Sequence, residues 1–134
     1  MIVANAKRLV TSTALVACSV VLFACETVSE GTSFNSFPVG TGSFSHEMLA
    51  PSGLSELQAT DLARLCAAGK ARAKGFSRID FVGRPSATLE NGWDSPRYRI
   101  VINARYVSAP STDGSSAEQL MADLGREFGG GCPG

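Results

Sequence analysis

Two kinds of side chain here have types and spacings that could do chemistry: the lone histidine and the four cysteines. His46 is the only imidazole, so any Ser-His-Asp or Cys-His arrangement would have to use it. The residues around it, Phe44-Ser45-His46-Glu47-Met48, carry no nucleophile motif, and His46-Glu47 lacks the second histidine of a zinc-protease helix. Cys66 and Cys132 are too far apart in sequence to make a ligand set of metal spacing. The triple glycine at 129–131 precedes no helix and carries no Lys-Ser/Thr, so it is no phosphate loop. Glu90 and Asp94 could do acid–base work, but a polar hairpin connection accounts for them equally well. His46 reads as an ordinary strand residue. No catalytic residue, metal site or cofactor is expected.

The first two cysteines, Cys18 and Cys25, lie within LVACSVVLFACETVSEG, each behind a small residue at the end of an apolar run. Lys7 and Arg8 precede that run, which extends from Leu9 to Ala24 with no acidic residue before Glu26. Sixteen residues of helix would cover about 24 Å, short of the roughly 30 Å hydrocarbon core of a bilayer. A positive start, a short apolar stretch and a small residue at the break read as an export signal over residues 1–24.

The end of the run, Leu22-Phe23-Ala24-Cys25, resembles the lipobox of bacterial lipoproteins. In that family the cysteine sulfur takes a diacylglycerol as a thioether, and cleavage just before it makes it the new N-terminus. Ala24 supplies the small residue; Phe23 is bulkier than the pattern usually has. Leu15-Val16-Ala17-Cys18 fits the residue types better, yet a cut there would leave the apolar stretch to Ala24 at the new start. A cut before Cys25 leaves the polar Glu-Thr-Val-Ser-Glu. Cys25 is therefore the expected lipidation site, with Cys18, plain secretion and a retained anchor as alternatives. The resemblance implies a membrane-bound protein held by its N-terminal lipid. With Glu rather than Asp after the cysteine, it implies the periplasmic face of the outer membrane rather than the inner membrane. Two or three acyl chains make a stable anchor at about 0.8 kcal/mol per buried CH₂.

The whole chain has 12 basic and 12 acidic side chains. Removing Lys7 and Arg8 leaves ten basic against twelve acidic. No basic excess argues for nucleic acid. Residues 25–43 are rich in Ser, Thr and Gly and read as a lipidated start followed by a flexible tether. Phe34 and Phe37 are odd there and are expected to pack on the domain's edge or form a short strand. Residues 44–134 read as one small domain.

Within it, Phe44, His46 and Met48 alternate with Ser45, Glu47 and Leu49 as a strand. Ser55 with Gln58 fits a capping box. The stripe Leu62, Leu65, Cys66, Gly69, Ala73 then gives a helix that Gly75 stops. Residues 76–83 are a strand with Ile79 and Phe81 on one side and Arg78 and Asp80 on the other. Gly, Pro and Asn-Gly signals make 83–96 a long connection. In 97–107, Tyr98, Ile100, Ile102, Ala104 and Tyr106 line one face of the clearest strand. Ser116 with Gln119 fits a second capping box and starts a second helix, with Ala117, Leu120, Met121, Leu124 and Phe128 as its stripe and Gly129 as its end. The order β-α-β-β-α, with one apolar face per element, predicts an α+β two-layer sandwich. Two helices would cover one face of a small antiparallel or mixed sheet and the other face would be wet.

A domain this small gains from a staple. After processing, an exported chain keeps Cys66 and Cys132 in an oxidising space, where they are expected to pair; the alternative is a buried free thiol with Cys132 loose. Arg78, Arg99 and Arg105 fall on the wet face with Asp80 and Asn103. They could take the carboxylates or phosphates of an anionic envelope polymer or a partner protein, or simply pair across strands. Trp93 and Tyr106 are further contact candidates. The segment ATDLARLCAAGKARAKGFSRIDFVG, 59–83, resembles a recurring piece of small proteobacterial lipoproteins of unknown function, in which an alanine-rich helix turns through Gly-aromatic into a strand. That resemblance implies location and brings no site residues. The first reading is thus a lipid-anchored, non-catalytic binding or structural module of the envelope. The alternative is a periplasmic enzyme or accessory subunit using the 83–97 loop.

Overall fold

A computed structural model of the chain describes residues 32–129 and Cys132. In chain order the elements are β1 (Ser33–Gly40), β2 (Ser43–Leu49), α1 (Glu56–Ala73), β3 (Arg78–Glu90), β4 (Arg97–Val107), β5 (Ser115–Ser116) and α2 (Ala117–Gly125). The strands form one antiparallel sheet in the order β1-β2-β4-β3-β5. Both helices lie on one face, α1 across β2, β3 and β4, and α2 beside α1 near β3 and β5. This is the two-layer α+β sandwich that the alternation predicts, with two strands more than the sequence pattern shows.

Strict alternation gives β4 the central place. Ile100, Ile102, Ala104 and Tyr106 are buried against the helices, because successive side chains point to opposite faces. Met48 stands opposite Ile100 and Ile79 opposite Tyr106, and Met48, Ile79 and Ile100 are all wholly buried. Each of these side chains contributes roughly 1.5–3 kcal/mol relative to exposure.

The caps of α1 are as its residues dictate. Ser55 Oγ accepts from Gln58 N–H at 3.1 Å, and Gln58 Oε1 accepts from Ser55 N–H at 3.0 Å. At the other end Phe76 N–H donates to the Ala71 carbonyl and Gly75 N–H to the Arg72 carbonyl, both at 2.9 Å. That pair of bonds needs a residue at positive φ, and Gly75 sits at +89°. The buried stripe is rotated from the expected one. Ala59, Ala63, Ala67 and Ala71 join Leu62, Leu65 and Cys66 in the core. Gly69 and Ala73 instead line a shallow groove of about 230 Å³ with Phe34, Lys70 and the two cysteines. Alanine at every fourth position lets the helix lie close on the sheet, and hydropathy alone does not single that face out.

Three further expectations need correction. Residues 33–43 are not tether: β1 pairs along β2 from Ser33 opposite Leu49 to Gly40 opposite Ser43, through a two-residue Thr41-Gly42 turn. Phe34 packs on the core side, and Phe37 is half exposed on the other. The folded region therefore starts before residue 44. Nor is 83–96 a long connection. β3 runs to Glu90, and the Gly83-Arg84-Pro85 signals mark a bulge between Val82 and Ser86, so only residues 91–96 connect the hairpin. Finally, α2 ends at Gly125, before Phe128. Ser116 caps it by accepting from Gln119 N–H, but the Gln119 amide turns to Asp123 at 2.9 Å instead of closing a capping box. Ala117 is buried, Leu120, Leu124 and Phe128 pack at the edge of the core, and Met121 points out.

Candidate functional site

Strand alternation sends the odd-numbered side chains of β2 and β4 to the face no helix covers. Arg78, Arg99 and Arg105 all lie there, as the pattern predicts, and each already has partners. Arg99 reaches across three strands, its Nε to Glu90 of β3 and its NH1 to Glu47 of β2. The hydrogen bond from Arg99, helped by one from the Trp93 indole, holds the Glu90 carboxyl below its ordinary range. The same bond raises the Arg99 guanidinium. Arg105 NH2 is 2.9 Å from Asp80 Oδ2 and 3.4 Å from Asp113 Oδ2. Arg78 donates to the backbone carbonyls of Thr112, Asp113 and Gly114 at 2.7–3.1 Å. This face is a charge-matched ladder rather than a positive patch. An incoming anion would have to displace a carboxylate at Arg99 or Arg105.

Along the same face runs a row of smaller side chains. Phe37 of β1 stands opposite Ser45, Ser45 opposite Asn103, and Asn103 opposite Val82 of β3. Phe37 and Val82 are 51% and 54% exposed. Two apolar side chains thus bracket a polar centre, between the Glu47–Arg99–Glu90 cluster and the Arg105–Asp80 pair.

His46 points the other way, into the core side of the sheet, and is wholly buried. Its Nδ1 is 2.8 Å from Ser36 Oγ and its Nε2 is 3.1 Å from Tyr106 OH. Phe34 stacks on the ring with centroids 5.4 Å apart, and Tyr106 lies at 5.8 Å. Burial lowers the imidazole to about 4, with the nearby Lys70 charge adding to the shift, so it is neutral at pH 7. Burial likewise pushes the Tyr106 phenol up to about 12. His46 ties the edge strand β1 to the centre of the sheet through a satisfied polar network. Sequence reasoning missed this role because Ser36 lay in the supposed tether. The Gly40-Thr41-Gly42 break between two alternating runs is the signal that could have found it.

The structure does not assemble His46 with Glu90 and Asp94. The histidine faces the helices, Glu90 faces away from them, and Asp94 stands in the hairpin connection. Trp93, in the same connection, donates to Glu90 Oε1 at 3.1 Å and is covered by the Arg97 guanidinium 5.0 Å from its ring. Tyr106 is buried against Phe44 and Phe76 and is no surface contact. Among the described residues, no group of three or more His, Cys, Asp or Glu side chains could hold a metal ion, and no helix is long and apolar enough to cross a membrane. Cys66 and Cys132 are joined, with Cα atoms 5.0 Å apart, fastening α1 to the segment after α2. Cys25 and Cys18 lie outside the described residues. No protein-family model, curated protein or solved structure matches this chain.

Proposed function

We propose that the chain is a lipid-anchored protein of the bacterial envelope, carried on Cys25, whose small domain serves as a non-catalytic binding or structural module. The observation that carries the reading is Leu22-Phe23-Ala24-Cys25 at the end of an apolar run that is preceded by Lys7-Arg8 and too short to span a bilayer comfortably. The Cys66–Cys132 bond suits an oxidising compartment. Glu26 favours the outer membrane, periplasmic side, over the inner. With β1 starting at Ser33, the tether is the short stretch 26–32. At about 3.3–3.6 Å per residue it reaches no more than roughly 25 Å from the lipid. The contact surface is the uncovered sheet face, and its matched charges suit a partner protein of mixed charge better than an anionic polymer.

Cell fractionation and intact mass test the anchor. The native protein should stay with the membrane and carry the mass of a chain cut before Cys25 plus its acyl groups, and Cys25→Ser should move it to the soluble fraction or leave it unprocessed. A native N-terminus that is uncut, or cut elsewhere and free of lipid, overturns the reading.

A further inference from the structure

The sheet has two outer edges, and they differ. β1 carries Pro38 and a register shift between Pro38 and Gly40, features that blunt an edge against pairing. On the other side β5 pairs only with Arg78 and Ile79. From Asp80 onward β3 has β4 on one side and, among the described residues, no strand on the other. The Gly83–Pro85 bulge interrupts this edge, leaving Ser86–Glu90 regular, with no proline, lysine or bulge of its own. Leu89 is 46% exposed there, and Trp93 in the adjoining connection 42%. Arg84 at one end of the segment and Asp94 beyond the other are exposed, opposite in charge, and without an ion-pair partner among the described residues.

We propose that Ser86–Glu90 pairs antiparallel with the same segment of a second copy, about a two-fold axis through Thr88, joining two five-stranded sheets into one. The segment is self-complementary in that register. On the helix side, Ala87 stands opposite Leu89 of the second copy, twice, which covers the exposed leucines. On the open side, Thr88 meets Thr88 and Ser86 meets Glu90, pairs that suit antiparallel neighbours. Antiparallel pairing also brings the Arg84 end of each copy to the Asp94 end of the other, giving each unpaired charge an opposite one. A contact of five residues per strand is at the small end of interfaces, so the association is weak and reversible. This inference does not depend on the lipid anchor.

Cysteine cross-linking of the full chain in detergent, with Cys66–Cys132 intact, tests it. Opposed Cβ atoms in such a pair lie about 4.5–5.5 Å apart, near enough for a disulfide after small shifts. Thr88→Cys should give a covalent dimer under mild oxidation, at least about fivefold more than Leu57→Cys, an exposed control on α1. In the Thr88→Cys background, Arg84→Asp should cut the yield about fivefold, and adding Asp94→Arg should restore it. Circular dichroism should show every variant folded. Thr88→Cys cross-linking no better than the control, or a yield indifferent to both charge changes, overturns the proposal.

Discussion

Acid should loosen this domain through one side chain. His46 titrates near 6.5 in an unfolded chain and about 4 in the folded one. Its folded value is depressed, so the stability it carries is present above pH 6.5 and is lost as the pH falls towards 4. Each unit of difference is worth 1.36 kcal/mol, so the whole shift corresponds to about 3 kcal/mol and the part lost by pH 5 to about 2. Against the usual 5–15 kcal/mol of a domain that is a large share. The causes are burial among Phe34, Phe44 and Tyr106 and the charge of Lys70. The chain has no other histidine, so no other side chain of ordinary pKa titrates near 6.5. Urea unfolding at pH 7.5, 6 and 5, with the disulfide intact, reads the effect directly. The wild type should lose about 2 kcal/mol between the first and last condition. His46→Gln cannot take the proton and keeps hydrogen-bonding capacity for Ser36 and Tyr106. It should start less stable and lose less than half as much. Parallel pH curves for the two proteins would refute the reasoning.

Two other changes follow from the fold. Gly114 sits at φ +70°, where a Cβ would come within 2.7 Å of the Asp80 Cα and the Ile79 carbonyl carbon. Gly114→Ala should therefore cost more than about 2 kcal/mol by urea unfolding, combining strain at positive φ with a backbone clash; a loss under 0.5 kcal/mol would show that the approach of this segment to β3 is not as tight as described. Removing the staple with Cys66→Ser and Cys132→Ser together should cost roughly 4 kcal/mol, the chain-entropy value for a cross-link at a sequence separation of 66, and an unchanged denaturation midpoint would contradict a bond formed in the native protein.

How much was legible in the sequence depended on how sharply each residue pattern excludes its alternatives. β4 was plain because Tyr98, Ile100, Ile102, Ala104 and Tyr106 alternate with a mostly polar set, Arg97, Arg99, Asn103 and Arg105 among them, over eleven residues. The Ser55–Gln58 box and Gly75 bounded α1 because those residue types have few other uses there. β1 was hidden by composition: Ser33, Asn35, Ser36 and Gly40 look like linker, and an edge strand with one wet face needs few large apolar residues. The outer half of β3 was hidden by Gly83 and Pro85, which signal a turn and a bulge equally. The wet face of Arg78, Arg99 and Arg105 was readable from alternation. Their partners were not, since Glu47 and Glu90 come within reach only through a register that no single strand encodes. The His46 network needed Ser36, and so needed β1 first.

The middle position of β4 has a consequence in time. The β1–β2 and β3–β4 hairpins each close across a short turn, so either can form while the rest of the chain is still arriving. The seam between them is different. Met48 meets Ile100 and Ser43 meets Arg105, partners separated by the whole of α1 and β3, and closing so wide a loop is entropically slow. The β1–β2 hairpin therefore has no strand to join until β4 has formed beside β3, and the sheet is sealed only when those two preformed hairpins meet.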